Sequence, residues 1–519
     1  MQHACRHACL LYLAAAAFCL SGCTSFSDYV HNGFKVGPEY TGAKAAVAPQ
    51  WMDASDVRVR SHAADLSRWW KVMNDPVLDN LICHAYHQNI NLKDYATRIL
   101  LARAQLGIDT GNLFPQTQDV NGTFLALGGP WNLGFSLAWE LDFWGTFRRT
   151  VLADKAQLEA SVENYDAVLV TLLCDVTQYY VQMRSYQEQI RLSKDNAAQL
   201  PQLVEMAKHA VALGSPKYAV GAGQLRNTQL QIEATVPALE IQLRQSQDQL
   251  CLLLGVPPTD LQARLGQRPI PTVPREIVLG IPAQLLERVP SVRSAERAAA
   301  AQAQQIGIAQ AALYPHISIT GTLGYQAPTA SQLFTPAGFV NASSFGPTFQ
   351  WNVLEYGRIV NNVRLQDAKF QQALLDYRTA VLTANHDAED GLVAFLKSQG
   401  QMDLLQQSIE AIKDAQTQYD IVDPRHSDLN QLNAIHQSLV QSQILKAQAQ
   451  AAIALGLVQI YRALGGGWEI RLGQQRAESG SMPLPAGMEN MPVPSANPVV
   501  GPGNPEPQAS LHPPRPKQN

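Results

Sequence analysis

Asn132-Leu133-Gly134-Phe135-Ser136-Leu137-Ala138-Trp139-Glu140-Leu141-Asp142-Phe143-Trp144-Gly145 is the stretch whose reading decides the fold. Leu133, Phe135, Leu137, Trp139, Leu141 and Phe143 alternate with Asn132, Gly134, Ser136, Ala138, Glu140 and Asp142, the period of two of a strand with one apolar face. Trp139 to Gly145 then recurs as Trp351-Asn352-Val353-Leu354-Glu355-Tyr356-Gly357, and Leu113-Phe114-Pro115 recurs as Leu313-Tyr314-Pro315. A chain that repeats its markers in order is built from copies of one unit.

Between the markers each copy reads as two strands. Ile317, Ile319, Leu323 and Tyr325 alternate with Ser318, Thr320, Thr322 and Gly324, while Phe345, Phe349, Trp351 and Val353 form a partner. Val120, Phe124 and Ala126 give a weaker version in the first copy. The hairpins turn at Gly128-Gly129-Pro130 and across the longer 326–343 loop.

A long helix follows each hairpin. Thr146 to Leu200 holds no Gly or Pro, about 55 residues or roughly 80 Å. Its apolar positions run Leu158, Val162, Tyr165, Leu169, Leu172, Val176, Tyr179, Met183, matched by Phe370, Leu374, Tyr377, Val381, Ala384, Ala388, Gly391, Phe395. Alternating spacings of four and three specify coiled-coil packing. Return helices are expected over 224–254 and 428–463, with shorter helices over 76–112 and 283–312 before each hairpin. The fold class is therefore mainly α with β, a duplicated helix–hairpin–long helix–return helix. Four strands cannot close a pore, because the smallest barrels need about eight. If these strands cross a membrane, the chain pairs with copies of itself; a soluble sheet packed on helices is the alternative.

The composition fits. Of 519 residues, 39 are Lys or Arg and 43 Asp or Glu, a net charge of −4 that leaves no basic excess for nucleic acid. Hydrophobic residues reach 46% and charged ones 16%, yet past the N-terminus no run of about 18 apolar residues stands out. At the N-terminus Arg6 precedes an apolar core ending in Leu20-Ser21-Gly22-Cys23, which reads as a secretory signal and resembles a bacterial lipobox. Acylation would fall on Cys23, as an N-palmitoyl and S-diacylglycerol cysteine, and each buried CH₂ would add about 0.8 kcal/mol of membrane binding. Thr24 and Ser25 follow, with no Asp to retain the protein at the inner membrane. Cys83, Cys174 and Cys251 have no metal-ligand spacing, and the last two read as small core residues.

Val36-Gly37-Pro38-Glu39-Tyr40, Trp69-Trp70, Asn89-Ile90-Asn91-Leu92, Leu252-Leu253-Leu254-Gly255-Val256-Pro257-Pro258, Leu285-Leu286-Glu287-Arg288 and Ala463-Leu464-Gly465-Gly466-Gly467-Trp468 occur in that order. On these motifs the chain resembles the TolC-like outer-membrane efflux lipoproteins, the branch serving resistance–nodulation–division pumps. The resemblance implies a homotrimer with a 12-stranded outer-membrane β-barrel continued by a periplasmic α-helical tunnel. It implies a passive exit duct for drugs or other small toxic compounds, not an enzyme and with no cofactor. Partners would be two further copies, a periplasmic adaptor and an inner-membrane transporter. A type I secretion channel and, from another class, a coiled-coil periplasmic adaptor lipoprotein are the alternatives.

The expected organisation is a signal peptide over 1–22, an anchor and extended segment over 23–75, repeats over 76–260 and 261–470, and a Pro-rich tail over 471–519. The tail cannot bury a core. The resemblance places a gate at the periplasmic tip, where this chain reads Tyr419-Asp420-Ile421-Val422-Asp423-Pro424-Arg425-His426-Ser427-Asp428. A family glycine is missing there and a proline gained, and after Arg288, where the family usually reads Arg-Pro-Asp, this chain reads Val289-Pro290-Ser291. Asp420, Asp423 and Asp428 are gate candidates, with Arg425 as a partner across subunits. Turn-forming Asp and Pro would also explain them without any gate. His426 and His436 lack paired ligands, so no metal site is expected. Trp139, Trp144 and Trp351 would form an interfacial belt or contacts beneath the strands.

Overall fold

The computed structural model describes residues 26–61, 65–123, 130–212, 218–280, 282, 288–336, 344–421 and 429–472. Asp75 starts the first substantial helix: its side chain accepts from Val77 N at 2.9 Å, and Pro76 occupies the first turn, where no N–H is needed. The described elements are α1 (Phe26–His31), β1 (Val59–Ser61), α2 (Pro76–Gln88), α3 (Ile90–Gly111), β2 (Thr117–Thr123), β3 (Trp131–Leu141), α4 (Thr146–Ala212), α5 (Tyr218–Leu253) and α6 (Leu261–Leu265). They continue as β4 (Ile277–Leu279), α7 (Pro290–Ala311), β5 (His316–Ala327), β6 (Ser344–Gln350), α8 (Arg358–Ile421) and α9 (Leu429–Ala463).

The helix expected over 76–112 is two helices. Asn89 breaks it, because its side chain accepts from Leu92 N at 2.8 Å while donating to Leu253 O at 2.9 Å. One residue thus caps α3 and ties it to the end of α5. The first long helix runs past its expected end, through Pro201 to Ala212, 67 residues or about 100 Å. A proline inside a helix costs about 3 kcal/mol. Leu200 (fully buried) and Val204 flank it in a tip cluster with Leu225, Ile232 and Val440, which offsets that cost. α5 likewise begins before its expected start and carries Pro237.

The long helices bury the seams their spacing specifies. Leu169, Leu172, Val176 and Met183 on α4 are buried, as are Tyr377, Val381, Ala384, Ala388 and Phe395 on α8. α4 packs against α5, α7, α3 and α9, and α8 against α9 and α7. At Gly456 a Cβ would stand 2.8 Å from Phe395 N, so α9 and α8 meet backbone to backbone there. α9 is the one described helix long and apolar enough to cross a membrane, yet 56% of its most apolar window is buried inside the fold. Its apolarity serves the core. Trp69, stacked on Tyr461 at 4.9 Å, and Trp70 close the cluster at mid-length, where Cys174 and Cys251 are fully buried free thiols; Cys83 is free and exposed.

Two further features differ from the sequence reading. β1 and β4 form a small parallel sheet (Val59↔Ile277, Arg60↔Val278, Ser61↔Leu279), too short to show a periodicity. The last strand stops at Gln350 rather than reaching Val353. Trp351 Nε1 donates to Leu313 O at 3.0 Å, and positive φ at Tyr356 (46°) and Gly357 (81°) turns the chain into α8. The Gly128-Gly129 turn, Phe124, Ala126 and the tail beyond 472 lie outside the described residues.

Candidate functional site

β2, β3, β5 and β6 form one antiparallel sheet in the order β2-β3-β5-β6. Its register sorts the side chains by face. Asp119↔Ser136↔Thr322↔Ser344, Thr117↔Ala138↔Thr320↔Gly346 and Glu140↔Ser318↔Thr348 run across one side. Val120↔Phe135↔Leu323, Leu133↔Tyr325, Trp139↔Ile319↔Pro347 and Ile317↔Phe349 run across the other. The first face is small and hydrophilic. The second is a band of aromatic and aliphatic groups, in which Phe135, Leu323, Phe345 and Phe349 are exposed. β3 holds 11 residues and β5 12, about 36–40 Å at 3.3 Å each and about 25–28 Å when tilted by 45°. Among the described residues β2 and β6 each pair on one side only, leaving rows of backbone donors and acceptors open at both edges.

The foot of the sheet is built by aromatic stacking and an arginine pair. Trp144 stacks on Tyr314 at 4.5 Å and donates from Nε1 to Pro315 O at 2.8 Å, joining the end of one hairpin to the start of the next. On this foot rests the N-terminal segment. Tyr29 of α1 donates to Phe143 O at 2.7 Å, and Val36 N donates to Trp144 O at 3.0 Å. Arg148 donates to Gly33 O and Phe34 O, while its Nε holds Asp142 at 2.9 Å. Arg149, fully buried, donates to Val36 O at 2.7 Å, Gly37 O at 2.9 Å and Gln304 Oε1 at 2.6 Å. Burial pushes its guanidinium below the usual arginine range, partly countered by Glu39 at 3.5 Å. Two glycines make room: a Cβ on Gly37 would stand 2.5 Å from Gly307 Cα, and a Cβ on Gly307 would overlap the Arg149 guanidinium.

Charge is buried elsewhere too. Asp166, fully buried, accepts from Nε and Nη2 of Arg471 at 2.7 and 2.8 Å, with Arg293 at 3.9 Å lying over the Trp468 ring. Burial raises the Asp166 carboxyl above the usual range against the pull of Arg471. The Gly465–Trp468 turn and the last described helical turn are thereby locked to α4. Nearer the sheet, Asp154 on α4 faces Asp109 on α3. Its carboxyl is pushed up to about 6, first by burial and then by the hydrogen bond to Asp109 and that group's charge. Asp109 is held low by that bond and by Gln105 Nε2 at 2.6 Å.

The sites expected from the sequence fall at the margins. Cys23, Asp423, Arg425, Asp428 and His426 lie outside the described residues; Asp420 is in the last turn of α8. His436 is buried at the tip end of α9, and burial holds its imidazole below the usual histidine range. Trp144 and Trp351 both make contacts beneath the strands. Sequence reasoning missed Arg148 and Arg149, whose only signal was two adjacent cations shortly after the Trp144-Gly145 end of the marker. It also missed His316, which lies 2.6 Å from Glu140 across β3 and β5.

The model of the family described as outer membrane efflux protein matches residues 82–256 and 281–466. Nodulation protein T of Rhizobium leguminosarum is 26% identical over 438 residues, covering 81% of this chain and 87% of that protein. Outer membrane protein OprJ of Pseudomonas aeruginosa is 29% identical over 463 residues, covering 84% and 93%. Among solved structures, the outer-membrane channel OprN superposes with a TM-score of 0.77 at 27% identity, over 84% of this chain and 99% of that one.

Proposed function

The chain belongs to the outer membrane efflux protein family, and from that premise we propose that three copies form the exit duct of a tripartite efflux pump. The single observation that carries this reading is the two-faced sheet with both edges open. This sheet has four strands, too few for a barrel, and among the described residues both its edges are open to pairing with other copies. Three copies give twelve strands, with the hydrophilic face lining a wet lumen and the aromatic band meeting lipid. The long helices α4 and α8, each about 100 Å, with the return helices α5 and α9 would continue the barrel as a tunnel in the periplasm. Exposed apolar residues on α3 (Leu100, Leu101, Ile108) and α8 (Leu365, Leu375, Leu382) supply faces for the neighbouring copies.

The anchor fits the same orientation. Cys23 precedes Phe26 by three residues, about 10 Å of chain at most. An acyl group there would sit at the level where α1 meets the sheet foot, holding that foot at the inner leaflet of the outer membrane. Asp420, Asp423, Arg425 and Asp428 are proposed to line the far end of the tunnel, where an adaptor and an energised inner-membrane transporter would dock. Cargo would be drugs or other small toxic compounds, passed without chemistry. The domain boundaries at 22, 75, 260 and 470 belong to this proposal. The adaptor alternative finds no support, since the family match spans both halves of the chain.

The test is reconstitution of the full-length, lipidated protein in planar bilayers. Stepwise conductance from a trimer is expected, with weaker cation block in Asp428→Asn. A monomer in detergent that never conducts would overturn the duct reading.

A further inference from the structure

Along the hydrophilic face of the sheet the described residues are nearly all Ser, Thr, Asn, Gln, Gly and Ala. Only Asp119, Glu140 and His316 on that face can carry charge. Asp119 is exposed and stands at the Ser136 rung. Glu140 stands four residues further along β3, about 13 Å toward the helices. It is also held differently. His316, diagonal to it on β5, places Nδ1 2.6 Å from Glu140 Oε1. A carboxylate only accepts, so Nδ1 carries the hydrogen and donates. The backbone is fixed as well: Glu140 N donates to Gln116 Oε1 at 2.7 Å, and Gln116 Nε2 donates to Glu140 O at 3.3 Å.

Among the described residues the only ion-pair partner of this carboxylate is His316. A cavity of about 440 Å³ opens beside it, lined further by Ser318, Thr348, Phe349, Gln350 and Asn352. His316 also borders a second cavity of about 280 Å³, whose polar lining is Thr146, Gln305, Asn362 and Gln366. Neither lining contains a lysine or arginine. The side chains of Glu140 and His316 are 34% and 33% exposed, so each is about two-thirds withdrawn from water. A carboxylate held in place in a partly dry wall acts at longer range than one on a mobile, solvated side chain.

We propose that Glu140, positioned by His316, is an ion-selecting site at the foot of the barrel that favours cations over anions. The inference rests on the trimeric duct reading: symmetry would repeat the carboxylate three times around the lumen, where the sheet gives way to the helices. A ring of fixed carboxylates raises the local cation concentration and opposes anions. The ligand class is any small cation, inorganic or organic, that presents positive charge to the wall. His316 is a positioning residue.

The experiment measures reversal potentials of single channels of the full-length protein under a KCl gradient. Glu140→Gln is expected to lower the potassium-to-chloride permeability ratio by about threefold or more. Asp119→Asn, which removes the more solvated charge, should lower it less. Ser318→Asp, placing a second carboxylate opposite Glu140, should raise it. His316→Leu, which frees the carboxylate to move, should give an intermediate loss, and His316→Gln, which keeps a donor, should restore the wild-type ratio. A Glu140→Gln ratio equal to wild type, or a larger effect from Asp119→Asn, overturns the proposal. If Glu140→Gln fails to assemble, Ser318→Asp decides: an unchanged ratio overturns it equally. A wild-type protein that never conducts would instead sink the duct reading.

Discussion

Arg149→Met removes the guanidinium that pins the N-terminal segment to α4 and α7, and its cost can be worked from the contacts. Three donated bonds disappear, but their acceptors fare differently. Gly37 O keeps its bond from Asn32 Nδ2 at 3.0 Å, whereas among the described residues neither Val36 O nor Gln304 Oε1 has a second donor. Each buried acceptor left unmade costs about 1–3 kcal/mol. Against this, the buried cation is itself expensive to hold, as its lowered pKa shows, and removing it returns part of the loss. The net expectation is a destabilisation of about 3–5 kcal/mol, the range for breaking one side of a buried charged contact. An unfolding entropy of about 2.1 cal/mol/K per residue, over about 450 residues, gives roughly 1 kcal/mol/K. The melting temperature should therefore fall by about 3–5 °C in detergent, followed by circular dichroism. A local readout accompanies it: trypsin should cut earlier after Lys35 and Lys44, which lie in the pinned segment. Gly307→Ala should reproduce both effects, because its Cβ takes the place of the guanidinium. Arg148→Met should cost less, since that side chain is 37% exposed and water replaces it. A melting temperature within about 1 °C of wild type, with unchanged cleavage in both variants, would refute the reasoning.

Asp154→Asn should stabilise the protein at neutral pH. The folded carboxyl is raised to about 6, so between about pH 4 and 6 the folded state holds a proton that the unfolded state has released, and at neutral pH the ionised group is disfavoured by folding. Stability is thus lost as pH rises through the window from about 4 to 6. Asparagine keeps a donor for Asp109 and removes that loss, so melting temperature should depend less on pH across this window, with a gain of about 1 kcal/mol above it after solvent screening; a slope as steep as wild type refutes the pairing. Phe135→Arg and Ser136→Arg are neighbours on opposite faces of β3. The first places a charge in the aromatic band, at about 2–4 kcal/mol near a bilayer midplane, and should deplete outer-membrane trimer in fractionation, while the second should assemble. Equal yields would contradict the assignment of faces.

The sequence declared the architecture where a periodicity ran long enough to be unambiguous. Trp131–Leu141 alternates over a full strand, and the α4 and α8 seams hold their register over many turns, so both were legible. Competing local chemistry hid the rest. Asn89 looked like one more helical residue until its side chain reached back to Leu253 O, and Pro201 looked like a terminator although buried Leu200 and Val204 carry the helix past it. Trp351 continued an alternating pattern but is diverted by its bond to Leu313 O. The three-residue strands β1 and β4 are joined by a pairing more than two hundred residues apart, which no local pattern encodes. At the site, the wet and apolar faces were readable residue by residue. The Glu140–His316 contact was not, because it depends on the register between β3 and β5, set by the whole sheet.

The open edges of the four-stranded sheet also bear on inheritance. A strand edge in lipid has no water to satisfy it, so in the proposed trimer no chain can finish folding in the membrane before its two neighbours arrive. Insertion and assembly then become one event, and the unit exposed to selection is the ring. A chain whose edge is damaged but whose other edge still pairs would enter rings and spoil them. In a cell making equal amounts of intact and damaged chain, only about one ring in eight would be free of the fault. Alleles at β2 or β6 should therefore behave as dominant, whereas alleles that unfold the helices before assembly should be recessive.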